Sequence, residues 1–83
     1  MYKLIYTSQS QKDAKKINQN RLKLKVEKLL EIIKINPFQN PPYYEKLIGY
    51  DNRYSRRINR QHRITYEIFE DKIKILRMWT HYE

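Results

Sequence analysis

The 83-residue sequence contains no cysteine, a single glycine and only two histidines. Without cysteine the chain has no disulfide scaffold, no thiol nucleophile and no thiolate ligand for zinc. One glycine is too few for a glycine-rich loop that cradles phosphate groups. The two histidines, His62 and His81, are not spaced as a pair of metal ligands. We therefore expect neither a metal site nor a cofactor.

Long hydrophobic runs are also missing. No apolar stretch approaches the roughly 18–20 residues of a membrane-spanning helix, and the apolar stretch near the N-terminus is too short for a signal-peptide core. The length suits one domain covering residues 1–83, and the 40% apolar content is enough for a folded core. These features predict a cytoplasmic protein that has no membrane association.

Acidic residues are scarce relative to basic ones. Nine Asp and Glu against 18 Lys and Arg give a formal net charge of +9. Such an excess of positive charge indicates an anionic partner. Nucleic acid and an acidic protein are the two candidates.

Two helices are predicted between Ser8 and Lys34, because this segment contains no Pro or Gly and is rich in helix formers. Ser8 or Ser10 is expected to cap the first helix, and Asn20 the second. In the second helix, apolar residues recur at helical spacing and should form one buried stripe: Leu22, Val26, Leu29, Leu30 and Ile33.

Four strands are predicted, from β-forming residues at 2–7, 53–59, 63–69 and 73–80. The proline-containing segment 36–47 is interpreted as an extended connector, and residues 70–72 as a hairpin turn. The resulting α+β chain has the order β-α-α-β-β-β. We expect a small, mostly antiparallel sheet with a helical hairpin covering one face.

Alternation along these strands predicts which side chains face the helices. Ile58, Ile64, Tyr66 and Ile68 should point inward, together with Leu76 and Met78 of the last strand. The open face should then collect basic side chains: Arg57, Arg63, Arg77 and His81. In a regular last strand Ile73, Ile75 and Trp79 would also lie on that open face.

Five arginines lie within residues 53–63, interleaved with tyrosine. A single arginine would most simply be a solvated surface residue. A cluster favours RNA binding, because guanidinium groups grip phosphates and tyrosine rings stack on bases. The helical lysines are most simply solvated, although they could also contact RNA phosphates or an acidic partner.

The sequence Ser55-Arg56-Arg57-Ile58, followed by His62-Arg63-Ile64-Thr65-Tyr66 and by His81-Tyr82-Glu83, resembles the YoeB/Txe branch of the RelE superfamily of toxins. Asn36-Pro37-Phe38 and Glu45-Lys46-Leu47 fit the same pattern. The resemblance extends over the entire chain and implies a RelE-like fold. It further implies a ribosome-dependent endoribonuclease that cuts mRNA in the ribosomal A site.

The resemblance assigns catalytic roles to Glu45, Arg63, His81 and Tyr82. RNA contacts are expected from the neighbouring basic residues: Lys46, Arg53, Arg56, Arg57 and Arg60. Ile48 stands where related sequences have a lysine, and Glu83 follows a His-Tyr pair that usually ends the chain. RNA cleavage needs no metal, since the 2′-hydroxyl can attack the adjacent phosphorus. Glu45 would act as base, Arg63 with Arg57 as phosphate clamp, and His81 as acid.

The expected partners are mRNA, the ribosome and a cognate YefM-like antitoxin with an acidic C-terminal segment. The resemblance also allows a homodimer. Two other functions fit the charge: a non-catalytic module that binds RNA or DNA, and a protein-interaction domain for an acidic partner. Neither of these functions requires Glu45 and His81 to lie close together. Proximity of the two residues would therefore favour the nuclease over both alternatives.

Overall fold

The computed structural model describes residues 1–79. Its elements in chain order are β1 (Lys3–Tyr6), α1 (Ser8–Asn18), α2 (Lys23–Ile35), β2 (Tyr44–Lys46), β3 (Arg53–Arg57), β4 (Arg63–Phe69) and β5 (Lys72–Arg77). The strands form one sheet in the order β1-β5-β4-β3-β2. All neighbours pair antiparallel except β1 and β5, which are parallel. The α+β prediction and the mostly antiparallel sheet are confirmed.

The two helices form where they were predicted, but different residues begin them. Thr7 caps α1, because its side-chain oxygen accepts a hydrogen bond from the backbone N–H of Ser10. The cap prediction for Ser8 or Ser10 is therefore wrong. Asn20 does not cap α2 either, since its side-chain amide donates to the carbonyl of Lys16 at the end of α1. Arg21 then turns the chain with a φ of 61°, and α2 begins without a side-chain cap.

The core lies between the helices and one face of the sheet. The predicted stripe of α2 is buried at Val26, Leu29 and Ile33, and Leu22 and Leu30 pack against it partly buried. The sheet contributes apolar side chains from its central strands and the segments that follow them: Ile58, Ile64, Tyr66, Ile73, Ile75 and Met78. The inward orientation predicted for Ile58, Ile64 and Tyr66 is thus confirmed.

An additional strand forms within the segment that was interpreted as a connector. β2 pairs antiparallel with β3 and places Glu45 opposite Ser55. Three residues are too few to show an alternating pattern, and the prolines that precede β2 conceal it further. The edge strand that carries Glu45 was therefore missed.

The alternation predicted for the last strand is wrong at Ile73 and Ile75. Both are fully buried against the core and are paired with Ile68 and Tyr66. The register shifts immediately afterwards, since Thr65 pairs with Arg77 and Leu76 has no opposite residue. One extra residue in a bulge reverses the faces of the residues that follow it. Ile75 and Met78 consequently both face the core.

Candidate active site

The side of the sheet away from the core brings Glu45 and Arg63 together. Glu45 of β2 lies opposite Ser55, and Ser55 lies opposite Thr65 of β4. Arg63, two residues before Thr65, donates from Nη1 to Oε1 of Glu45 at 2.5 Å. The Arg63 side chain is only 15% exposed, whereas that of Glu45 is 40% exposed. The carboxylate is thus accessible to a ligand, with a cation already in contact.

Arg57 lies beside this pair because β3 and β4 place it directly opposite Arg63. The loop between the two strands is held by Asn59, whose side-chain oxygen accepts from the backbone N–H groups of Gln61 and His62. Arg57 itself is exposed and donates to the carbonyl of Arg60 at 3.2 Å. The hairpin therefore presents two guanidinium groups on one face, as alternation predicted.

Arg56 does not belong to this surface, and its prediction as an RNA contact is wrong. The residue is 1% exposed, because it lies opposite Ile64 on the side of β3 that faces the core. Its guanidinium donates to three carbonyls, those of Pro37, Gln39 and Pro42, at 2.7–2.9 Å. Its Nε donates to the phenol of Tyr66 at 3.2 Å. Three of these four hydrogen bonds thus hold the segment before β2, and the fourth joins Arg56 to β4.

Tyr66 completes this buried group. Its hydroxyl donates to the carbonyl of Pro37 at 3.0 Å. Burial raises the pKa of the Tyr66 phenol and outweighs the opposing charge of Arg56. The phenol accordingly remains neutral and keeps its donor role at physiological pH.

The other predicted RNA contacts lie on the surface in different situations. Lys46 and Arg60 are exposed. Arg53 forms an ion pair with Glu67 at 3.1 Å, and its guanidinium lies 4.3 Å from the centre of the Tyr50 ring. An RNA phosphate would compete with Glu67 for Arg53, whereas Lys46 and Arg60 form no ion pair with an acidic side chain within residues 1–79. Their RNA-binding roles remain predictions.

Two predicted catalytic residues, His81 and Tyr82, lie outside the described residues 1–79. Arg77, predicted for the open face, is positioned opposite Thr65. Its guanidinium does not join Arg57 and Arg63, however, but donates to Asp13 of α1 at 3.0 Å. Arg77 therefore links the sheet to a helix.

Sequence reasoning missed two buried polar residues near the end of β5. Asp13 is 0% exposed although it lies on a helix. Its position four residues before the core residue Ile17 puts it on the inward side of α1, which is a signal that could have revealed it. His62 is 6% exposed and stacks on Trp79 with ring centres 3.8 Å apart. No comparable sequence signal marks His62.

Within residues 1–79, no group of three or more His, Asp or Glu side chains is arranged to hold a metal ion. None of the helices in the same range is long and apolar enough to cross a membrane.

Solved structures share this fold. A YoeB dimer from Staphylococcus aureus has a TM-score of 0.85 and 32% identity, with 98% of each chain covered. A YoeB/ParE toxin from Agrobacterium tumefaciens has a TM-score of 0.85 and 27% identity, with 96% of this chain and 99% of the other covered. The toxin of a YoeB–YefM complex from Staphylococcus aureus has a TM-score of 0.82 and 31% identity over 99% of both chains. Curated proteins gave no significant match.

The fold is thus that of a small toxin of the YoeB type. A family model described as "YoeB-like toxin of bacterial type II toxin-antitoxin system" matches residues 4–82. The chain belongs to this YoeB-like toxin family.

Proposed function

We propose that the chain is a ribosome-dependent endoribonuclease that cleaves mRNA in the ribosomal A site and so inhibits translation. The observation that supports this most directly is the contact between Glu45 and Arg63 beside the exposed Arg57. A carboxylate within a basic face weakens nonspecific RNA binding, because it repels phosphates. Its presence there is explained if Glu45 acts chemically on the RNA.

The proposed reaction is an attack of the RNA 2′-hydroxyl on the adjacent phosphorus. Glu45 takes the proton of the 2′-hydroxyl, and Arg63 with Arg57 stabilises the charge that develops on the phosphate. His81 gives a proton to the departing 5′-oxygen. Tyr82 stacks on a base or orients His81. The products are a 2′,3′-cyclic phosphate and a 5′-hydroxyl, and the reaction needs no metal.

The ion pair suggests how the free enzyme is arranged before RNA binds. Arg63 is held in place by the carboxylate that it contacts, so it needs little reorganisation when a phosphate arrives. A phosphate that takes over donors of Arg63 weakens the hold on Glu45, and the freed carboxylate oxygen can then accept a proton. Binding of the substrate thus prepares the base.

The ribosome has a clear part in this scheme. A carboxylate is a weak base at neutral pH, so proton transfer alone gives limited acceleration. Holding the mRNA with its 2′-hydroxyl in line with the departing oxygen supplies the remaining rate through positioning. We therefore propose that naked RNA is a poor substrate and that the protein acts in the cytoplasm, where translation takes place.

An antitoxin is the proposed protein partner. Two Staphylococcus aureus relatives were solved as a YoeB dimer and as a YoeB–YefM complex. With a net charge of +9 and an exposed arginine face, this chain suits an acidic, YefM-like segment that folds as it binds. We propose that such a segment covers the Arg57–Arg63 face, and that the toxin can form a homodimer.

In vitro translation with mapping of mRNA ends tests the nuclease proposal. The wild type should cut at defined codons, and only when ribosomes are present, leaving 5′-hydroxyl ends. Glu45→Gln and His81→Ala should each lower the cleavage rate by about 10²–10⁴-fold. Lys28→Ala, which removes an exposed lysine from α2, is the control and should cut normally.

The alternatives give different results in the same assay. RNA binding without any cut ends would indicate the non-catalytic RNA- or DNA-binding module. Equal cleavage of naked RNA would contradict the requirement for the ribosome.

Hydrogen exchange of residues 76–83 with and without the antitoxin tests the partner proposal. Unchanged exchange there, together with an unchanged Arg57–Arg63 face, would contradict neutralisation by covering the site.

A further inference from the structure

Asp13 is a buried carboxylate that collects four hydrogen bonds. Its Oδ2 accepts from Nε of Arg77 at 3.0 Å, from the backbone N–H of Met78 at 2.9 Å and from that of Trp79 at 3.2 Å. Its Oδ1 accepts from the side-chain amide of Gln9 at 3.0 Å. Three of the four donors belong to consecutive residues, namely the last residue of β5 and the two that follow it. Asp13 thus fixes that end of the strand to helix α1.

The same short segment is held by an aromatic stack. The Trp79 ring lies almost parallel to the His62 ring, with an interplanar angle of 19° and centres 3.8 Å apart. The Nδ1 atom of His62 is buried and has no hydrogen-bond partner among the described residues. His62 therefore contributes to this region mainly by ring contact. Residues 77–79, which we call the β5 exit, are held by α1 and by the loop before β4.

The β5 exit connects the described structure to the proposed catalytic acid. Thr65 pairs with Arg77 in antiparallel strands, so the chain after Arg77 runs back along β4 toward residue 63. His62, which stacks on Trp79, immediately precedes Arg63. His81 follows Trp79 by two residues, a span of at most about 7 Å between Cα atoms. Trp79, the last described residue, is thus held beside the residue that precedes Arg63.

We propose that Asp13 and the His62–Trp79 stack together form an anchor that positions His81 and Tyr82 for the reaction. Asp13, although it lies on a helix outside the arginine face, is a positioning residue. The proposal rests on the nuclease function argued above. It predicts that loosening the β5 exit lowers the rate of the chemical step and leaves binding to the ribosome intact, because the exposed basic residues stay in place.

Paired variants separate positioning from stability. Asp13→Ala removes all four hydrogen bonds, whereas Asp13→Asn keeps a carbonyl oxygen that can still accept from Met78 and Trp79. Trp79→Leu removes the stacked ring, whereas Trp79→Phe retains a smaller one. Leu29→Ala is the control, because it destabilises the core from α2, and Leu29 takes no part in the hydrogen bonds or the ring stack that hold the β5 exit. Thermal unfolding identifies the temperature at which every variant is folded.

The first measurement is NMR of the His81 and Tyr82 side chains in the free protein. Asp13→Ala and Trp79→Leu should move these resonances more than Leu29→Ala does, and the two conservative variants should restore them. Resonances that move no more than in the control would overturn the anchor. This readout does not depend on cleavage, so it decides the proposal even if the nuclease function fails. If Asp13→Ala does not fold, the comparison of Trp79→Leu with Trp79→Phe decides the proposal.

The second measurement is single-turnover mRNA cleavage on ribosomes, with binding to the ribosome measured in parallel. Asp13→Ala and Trp79→Leu should lower the cleavage rate constant by about 10–100-fold, the scale expected when a catalytic group is displaced by about 1 Å. The dissociation constant for the ribosome should stay within about 2-fold of the wild type. Weaker binding with an unchanged rate constant, or a rate loss equal to that of Leu29→Ala, would contradict a positioning role.

Discussion

Arg56 and Arg57 are neighbours in the sequence, but their side chains lie on opposite faces of the same strand. Arg56 is buried and gives its donors to three carbonyls and a phenol, so it holds the segment before β2 in place. Arg57 is exposed opposite Arg63, next to the carboxylate of Glu45. The same side chain is therefore structural on one face and available to a ligand on the other. Charge composition cannot distinguish the two, whereas strand register can.

The largest expected effect is on the buried face. Arg56→Ala should lower the free energy of unfolding by about 3–5 kcal/mol, because it leaves a cavity and several buried acceptors without donors. The matched variant Arg57→Ala should change it by less than about 0.5 kcal/mol. Urea unfolding of both variants measures the difference. Equal losses would show that the two faces are not separated as described.

On the open face, Arg63→Ala should lower mRNA cleavage by about 10²–10³-fold, because it removes the proposed phosphate clamp. Its stability should fall by less than about 2 kcal/mol, since the Glu45 carboxylate left behind can be hydrated. Cleavage on ribosomes and thermal melts provide the two measurements. Arg63→Lys serves as the comparison, because it keeps the charge and loses the planar fork. A variant that unfolds would indicate that Arg63 is structural.

A smaller effect concerns the pH dependence of stability at Asp13. Burial raises the pKa of this carboxyl, but hydrogen bonds from Met78, Gln9, Arg77 and Trp79 outweigh it and leave the pKa lowered. The stabilisation is therefore present above the pKa of the unfolded chain and is lost as the pH falls through the lower pKa of the folded state. Asp13→Asn removes this contribution.

Unfolding free energies of the wild type and Asp13→Asn, measured near pH 6 and near pH 3, check the sign. The wild type should exceed the variant by more at the higher pH, because its carboxyl is then ionised in both states. Effects of the other acidic residues cancel in the difference. A difference that is the same at both pH values would contradict the lowered pKa.

The smallest effect is expected for the ion pair between Arg53 and Glu67 on the open face. Both side chains are partly exposed, so a double-mutant cycle with Arg53→Ala and Glu67→Ala should give a coupling of about 1 kcal/mol or less. Added salt should reduce it further. A coupling that rivals the loss in Arg56→Ala would mean that the open face contributes to stability as strongly as the buried one.

Several features were predictable because they depend on local patterns. The apolar stripe of α2 and the alternation of β4 follow from periods of 3.6 and 2 residues, and both are confirmed by burial. The positions of Arg57 and Arg63 on one face follow from the same alternation. The proposed base, Glu45, was found through the family motif, but the strand that carries it was not. A three-residue edge strand forms only because β3 offers it a partner.

The sequence by itself determined the class of fold, the positive charge and the family motif, because composition and short periodicities can be read without knowing which residues meet in three dimensions. Only the tertiary structure decided which arginines are available. Arg56 turns inward to satisfy carbonyls that are 14–19 residues away, and Asp13 of α1 binds residues 64–66 positions further along the chain. Such contacts depend on register and on one bulge in β5, and a shift of a single residue would move each side chain to the opposite face.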